Sequence, residues 1–339
     1  MAGQPLPKHL NIVAVESNYC SIPPLSVPEG YTFTLTTYDQ STPEEVAERI
    51  RDADIAITIV APFTAEALAE TNSPRLRMIA TISSGTDQVD LKACAARGIT
   101  VLNSPNCNTN TVAEHALATY FAVRRAFVPC MHKLNQNEWV RTGVLVKTMY
   151  THSATQPPRT LSQEVVAIVG YGAVGKAVQA RFEALGATVR IVARKGVVPT
   201  ADSGRISFEQ ALAEATVLVL CCPRTAETEG LLGAKEFAAM RPDAVLVNMS
   251  RGRVVNEQAL LDALRNREIS GAGVDVFEVE PAGPENSVLV GRQDEGLNLV
   301  LSPHTAWSSL DTVENYQRVC QLNVLEFVQG RVNPERVVV

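Results

Sequence analysis

The chain has 339 residues, 46 % of them apolar, and a formal net charge of −6 at pH 7. That length can bury a large core and favours two domains, while the mild acidity and the lack of a long basic stripe argue against a nucleic-acid surface. No apolar run reaches the length of a membrane span.

In chain order, Leu10–Val15 reads as a strand, and Thr42-Pro43-Glu44-Glu45 as an N-cap with proline at the first helical position, opening a helix to about Arg51. A strand over Ile55–Val60, a helix over Thr64–Ala69 and a strand over Met78–Ile82 follow. A helix over Leu91–Ala96 and a short strand at Thr100–Leu102 complete a first set. Thr111–Val128, with few charges along its middle, predicts one long buried helix. Thr142–Pro158 is poorly periodic and reads as a surface loop. A second set has strands at 165–169, 188–192, 217–221, 244–248, 271–275 and 298–302, with helices between most of them and a final helix over Leu310–Gln329. Alternation of strand and helix throughout implies α/β architecture with parallel sheets. The seven cysteines include no C-x-x-C and the five histidines show no metal-ligand spacing, so free thiols and no metal are expected. The first eight residues carry no apolar signal core, which makes a cytoplasmic location the expectation.

Gly170-Tyr171-Gly172-Ala173-Val174-Gly175 directly follows the apolar run Val165–Val169 and opens a helical segment over Lys176–Leu185. Strand, Gly-x-Gly-x-x-Gly turn and helix together make a dinucleotide-binding crevice. The first glycine permits the tight turn, the second lets backbone approach the pyrophosphate, the third lets helix pack on strand, and the helix N-terminus offers free N–H groups to the phosphates. About 20 residues on, an NAD-binding unit usually places an acid that holds the ribose hydroxyl. Here the next strand ends in Ala193-Arg194-Lys195. Two cations suit a 2′-phosphate, so NADPH is the preferred cofactor, with NAD still possible.

Open α/β sheets present ligands at the C-terminal ends of their strands. Three such ends carry chemistry: Arg251 after 244–247, the carboxylates of Asp275, Glu278 and Glu280 after 269–274, and His304 after 297–301. An arginine fork grips carboxylates, and a histidine can exchange a proton near neutral pH. By position alone, Arg251 reads equally as a turn residue, the carboxylates as ordinary loop charges, and His304 as structural.

The order and spacing of Arg251-Gly252, Asp275-Val276-Phe277-x-x-Glu280-Pro281 and Pro303-His304-x-x-Trp307 resemble the signatures of the D-isomer-specific 2-hydroxyacid dehydrogenases. The resemblance runs through almost the full chain, including Gly85-Thr86-Asp87-Gln88-Val89-Asp90-Leu91, Ala96-Arg97-Gly98-Ile99 and Thr225-Ala226-Glu227-Thr228. It implies two Rossmann-like domains: a central dinucleotide-binding domain at 104–308, inserted into a flavodoxin-like substrate domain made of 1–103 and the C-terminal return 309–339. It makes Arg251 the substrate-orienting cation, His304 the acid/base and Glu280 its carboxylate partner. Asp275 would lie near the nicotinamide carboxamide. Further cofactor contacts fall at Gly170, Gly172, Ala173, Val174 and Gly175, at Arg194 and Lys195, and at Cys222 and Met249. Backbone at Ser84-Gly85 would receive the substrate carboxylate, with Val60 and Ala61 in the apolar loop lining the pocket.

The reaction so implied is reduction of a small 2-keto acid to the D-2-hydroxy acid. Trp307 is similar to the glyoxylate and hydroxypyruvate reductase branch, while the apolar Val60-Ala61-Pro62-Phe63 loop leaves bulkier alkyl or aryl keto acids open. Glu280 disfavours formate chemistry, and Ser84, in place of a lysine, disfavours phosphite chemistry. A dinucleotide-sensing corepressor of the same fold is the reading from another class. A homodimer built across the cofactor domain is implied as well. Asn256 stands where many members carry aspartate, at an expected helix cap that asparagine fills equally well.

Overall fold

The computed structural model describes residues 5–153, 155–292 and 295–339. Residues 1–4 of the polar start, and Ala154 in the 142–158 segment, lie outside that description. Two compact units emerge: Met1–Asn108 with Ser308–Val339, and Thr109–Trp307.

The first unit is a five-stranded parallel sheet of β1 (His9–Ala14), β2 (Thr32–Thr37), β3 (Ile55–Thr58), β4 (Met78–Thr81) and β5 (Thr100–Leu102), in the order β2-β1-β3-β4-β5. This is the flavodoxin-like order. Its helices are α1 (Pro43–Arg49) and α2 (Leu91–Arg97). Thr42 caps α1 in a full capping box with Glu45, and Asp90 caps α2 by accepting from Ala93 N–H. The sequence reading missed β2, because Thr-Phe-Thr-Leu-Thr-Thr offers no apolar run. It is an edge strand whose threonines stay exposed and pair with β1 residue by residue.

The predicted helix over Thr64–Ala69 is instead a pair of hydrogen-bonded turns, with Leu68 N–H on Thr64 O and Ala69 N–H on Glu66 O. A further turn follows, with Asn72 and Ser73 N–H on Ala69 O, and Pro74, which lacks an N–H, ends the run.

The second unit is a seven-stranded parallel sheet of β6 (Val165–Val169), β7 (Thr188–Val192), β8 (Arg205–Ile206), β9 (Val217–Leu220), β10 (Val245–Asn248), β11 (Gly271–Val274) and β12 (Leu299–Leu301), in the order β12-β11-β10-β9-β6-β7-β8. The order reverses beside β6, the topological switch point at which doubly wound sheets bind dinucleotides. Its helices are α3 (Thr109–Arg124), α4 (Phe127–Asn135), α5 (Glu138–Thr142), α6 (Ala173–Ala184), α7 (Phe208–Glu214), α8 (Ala234–Ala239) and α9 (Glu257–Arg265). Asn256 caps α9 by accepting from Ala259 N–H at 2.8 Å.

The single helix expected over Thr111–Val128 is broken. It ends at Arg124, Ala126 takes a left-handed φ of 49°, and α4 starts at Phe127. Pro129 explains the break: it has no N–H for the Arg125 carbonyl, and its ring would clash there. Arg124 turns inward and donates to Asp243 O and Thr216 O, both at 2.9 Å, and to Glu164, which also accepts from Tyr120. A buried ion pair of this kind fixes position more than it adds stability, since desolvation offsets most of the attraction.

The 142–158 segment is not wholly loop: Val146–Met149 forms a 3-10 turn, and Thr151 Oγ1 meets Ser270 Oγ beside β11. The last helix, α10 (Leu310–Val328), belongs to the first unit and packs against β4, with Tyr316, Val319, Cys320, Val324 and Val328 buried. Beyond it the chain end pairs with β5 through Val101 N–H to Val339 O and Val338 N–H to Val101 O. The seven cysteines stand as free thiols, and among the described residues no helix is long and apolar enough to cross a membrane.

Candidate active site

The glycine turn joins β6 to α6. Gly170 has φ +92°, and a side-chain carbon there would sit 2.5 Å from Cys222 N, so both the bend and the space demand glycine. At Gly175 a Cβ would fall 2.2 Å from Gly170 O, which is how closely the first turn of α6 lies on the loop. Gly172 faces open space, and α6 starts after it without a side-chain cap. The first N–H groups of a helix have no partners within it, and such an end receives phosphate. These residues therefore fit a dinucleotide: Gly172, Ala173 and Val174 supply the open, donor-rich end. Cys222, whose backbone packs against Gly170, follows β9, and Met249 follows β10; both are buried. Burial pushes the Cys221 thiol up to about 12 and raises Cys222 too, so both act as neutral wall residues.

The two cations after β7 go to different places. Arg194 is 83 % exposed, with Glu227 Oε2 3.7 Å away. Lys195 Nζ is held by Glu236 Oε1 at 2.9 Å and Leu231 O at 3.2 Å.

The three strand-end residues of β10, β11 and β12 come together. His304 Nδ1 meets Glu280 Oε2 at 2.6 Å, and Glu280 Oε1 accepts from Phe277 N–H at 2.9 Å. Arg251 is near enough for its charge to act on both groups. The turn after it is tightly seated, since a Cβ on Gly252 would lie 1.7 Å from Phe277 O.

The electrostatics are mutual. The hydrogen bond to Glu280 raises the His304 imidazole above its ordinary value; burial opposes this, the charges of Glu280 and Asp275 add to it, and Arg251 works against it. Burial alone would raise the Glu280 carboxyl. The bond to His304, its charge, the Phe277 N–H and Arg251 outweigh that and hold it below the usual carboxylate range.

Asp275, 1 % exposed, does not point a free carboxylate outward. Oδ1 accepts from Ser302 Oγ at 2.6 Å and Thr305 N–H at 2.9 Å, and Oδ2 from Ala306 N–H at 3.0 Å. Between these donors His304 sits at φ +51°, its N–H on Asp275 O at 2.8 Å. Left-handed backbone at a non-glycine residue costs on the order of 1 kcal/mol and persists where surroundings over-determine it. Ser302 is the group that the sequence reading missed, together with His115 on α3, whose Nε2 lies 2.9 Å from Ser302 Oγ. Because Ser302 gives its one proton to Asp275, His115 must donate from Nε2. Ser302, two residues before His304, was the available signal; nothing in the sequence ties residue 115 to it.

In the first unit, Val60 and Ala61 leave β3, and Ser84 and Gly85 leave β4. Val60 is 53 % exposed, whereas Ala61 is buried. Ser84 is anchored by its Oγ to Ser104 O at 3.1 Å, and its carbonyl accepts from Asn103 Nδ2 at 2.9 Å.

The sign of the pH effect follows from these shifts. The raised His304 contributes stability that is complete below histidine's ordinary 6.5 and is lost as pH rises through its folded-state value. The lowered Glu280 contributes stability present above 4.5 and lost as pH falls through its folded-state value. The pair is thus most stabilising between about pH 4.5 and 6.5. The His304 ring, followed by NMR, should titrate above 6.5, and Glu280→Gln should move its midpoint down. An unmoved midpoint would show that Glu280 does not set it.

Residues 117–306 match the family model for the D-isomer specific 2-hydroxyacid dehydrogenase, NAD binding domain. Over 297 residues the chain is 36 % identical to the glycerate dehydrogenase of Methylorubrum extorquens, covering 88 % of this chain and 89 % of that one. It is 31 % identical to the glyoxylate reductase of Thermococcus gammatolerans, covering 88 % and 87 %. Among solved structures, the NADPH-dependent glyoxylate/hydroxypyruvate reductase of Sinorhizobium meliloti, in complex with NADP and malonate, superposes with a TM-score of 0.72 at 27 % identity, over 93 % of this chain and 92 % of that one. The chain is therefore a member of the D-isomer-specific 2-hydroxyacid dehydrogenase family, enzymes that use a nicotinamide dinucleotide.

Proposed function

We propose that this enzyme reduces a small 2-keto acid, of the glyoxylate or hydroxypyruvate kind, to the D-2-hydroxy acid, with NADPH preferred over NADH. The observation that carries the reading is the 2.6 Å His304–Glu280 pair with Arg251 beside it, at the C-terminal ends of adjacent strands of a dinucleotide fold. The named relatives and the NADP-bound neighbour support it.

The bound reduced dinucleotide supplies the hydride. Arg251 orients the substrate by its carboxylate and keto oxygen, which a planar fork can bridge and a point charge cannot. With Nδ1 committed to Glu280, the protonated His304 donates from Nε2 to the forming alkoxide, and Glu280 stabilises the imidazolium. Backbone at Ser84-Gly85 takes the carboxylate, and Val60 and Ala61 meet the substrate's substituent. The half-exposed Val60 favours a second reading, in which that substituent is a bulkier alkyl or aryl group.

Arg194, exposed where an NAD enzyme carries its acid, reads the 2′-phosphate. Lys195, tied to Glu236, serves that corner from within the protein. The outer faces of α4 and α5 expose Phe127, Met131, Leu134, Trp139 and Val140, an apolar surface of the kind that subunit contacts cover. A second copy of this chain covers it, making a homodimer.

Four measurements test this reading. A panel of glyoxylate, hydroxypyruvate and larger keto acids should show turnover that falls as pH rises through the His304 value. His304→Ala should lose about a thousandfold in kcat while keeping NADPH affinity; absence of turnover by the wild type with every acid would sink the proposal. Arg194→Ala should weaken NADPH by about tenfold and NADH little; equal losses would remove Arg194 from phosphate recognition. Sedimentation should give twice the chain mass, and Trp139→Lys should shift it towards one; a wild-type monomer would refute the dimer.

A further inference from the structure

Glu16 follows β1 and is 2 % exposed, yet no role falls to it in the chemistry above. One of its oxygens, Oε1, collects four donors. Thr58 Oγ1 approaches at 3.0 Å, Ile59 N–H and Ala61 N–H at 2.6 Å, and the Val60 N–H lies between them. Three consecutive amides converging on one atom form a nest, a backbone shape that closes around an anionic oxygen. Here the anion comes from the chain itself, so the loop after β3 is moulded on the Glu16 carboxylate.

The same loop is tied on its other side. Ile59 O accepts from Gln88 Nε2 at 2.8 Å, and that amide also reaches Ser83 Oγ at 3.2 Å. Ser83 Oγ donates to Gly85 O at 2.7 Å. One continuous set of hydrogen bonds therefore runs from Glu16 through 59–61 and Gln88 to Ser83 and Gly85. It joins the loop that presents the half-exposed Val60 side chain to the loop that presents Ser84-Gly85.

We infer that Glu16 and Gln88 are positioning residues for keto-acid recognition: Glu16 fixes the Val60-Ala61 backbone, Gln88 couples it to the Ser84-Gly85 turn, and together they set the keto-acid KM and the discrimination between substituents. The inference rests on the reading that these two loops receive the substrate. Neither residue exchanges a proton or touches the dinucleotide-binding turn, so their effect falls on the keto acid.

The test is steady-state kinetics of the full chain at saturating NADPH, with glyoxylate and a longer aliphatic keto acid, alongside NADPH affinity and thermal midpoint. Glu16→Gln replaces a charged acceptor with a neutral one of the same shape. It should raise the keto-acid KM about tenfold, change kcat less, leave NADPH affinity unaltered, and draw the kcat/KM values of the two acids together. Gln88→Ala, which removes the coupling without touching the buried carboxylate, should do the same and decides the matter should Glu16→Gln not fold. Rescue of KM by Gln88→Asn would contradict the geometry, because the shorter amide does not span both partners. Wild-type KM and discrimination in a folded Glu16→Gln, or in Gln88→Ala, overturn the inference. Val60→Trp separates the two levels. If it shifts KM while Glu16→Gln and Gln88→Ala do not, the positioning role alone fails; if it moves no keto acid's KM, the loop does not meet substrate and both fall.

Discussion

The buried Asp275 carboxylate is the constraint on which the candidate active site depends. It accepts from Ser302, Thr305 and Ala306, spanning both sides of His304, so the loop after β12 can only close in one way. Closed that way, the loop holds His304 in the left-handed region with Nδ1 on Glu280, and in the proposed reaction Nε2 is the atom that transfers the proton. Hydrogen bonds to a charged acceptor contribute about 2 kcal/mol each, enough together to hold one strained residue. Charge and geometry thus come from one group: Asp275 orients the histidine and also adds to the field that favours its protonated form.

The dinucleotide end follows a different logic, one of omission. Atoms are absent at three glycines: a Cβ at 170 or 175 would strike the backbone of Cys222 or Gly170, and 172 faces open space; no acid directly follows β7, and α6 has no side-chain cap. What remains is a helix end rich in donors and an exposed guanidinium. The placement of Arg194 and Lys195 shows how two adjacent cations differ once folded. One keeps its charge in solvent, and the other shares it with Glu236.

Much of this was legible because the signals are local. A glycine turn between an apolar strand and a helix, Thr42 and Asn256 caps, and apolar strands at fixed spacing all act over a few residues, and each recurs in the structure. Failures came where distant partners or a steric veto decide. β2 is a strand because it lies along β1, not because its threonines demand it. The long helix stops short because one proline cannot serve Arg125, and Arg124 finds acceptors on residues 164, 216 and 243. That the Asp275 carboxylate accepts from Ser302, Thr305 and Ala306 was equally illegible, because those donors lie some 30 residues on.

By itself, the sequence determined the layering into parallel sheets, the position of the dinucleotide turn and the identity of the arginine, glutamate and histidine at successive strand ends. The first two are consequences of periodicity and of glycine's missing side chain, which act locally; the three strand-end residues stood out through the order and spacing that resemble the family's signatures. Only the tertiary structure decided which ring nitrogen of His304 meets Glu280, that Ser302 and His115 stand behind Asp275, and that Glu16 closes the loop after β3. The reason is physical: a hydrogen bond needs its two atoms within about 3 Å, and residues 16 and 61, or 115 and 302, reach that distance only after the sheets have brought them together.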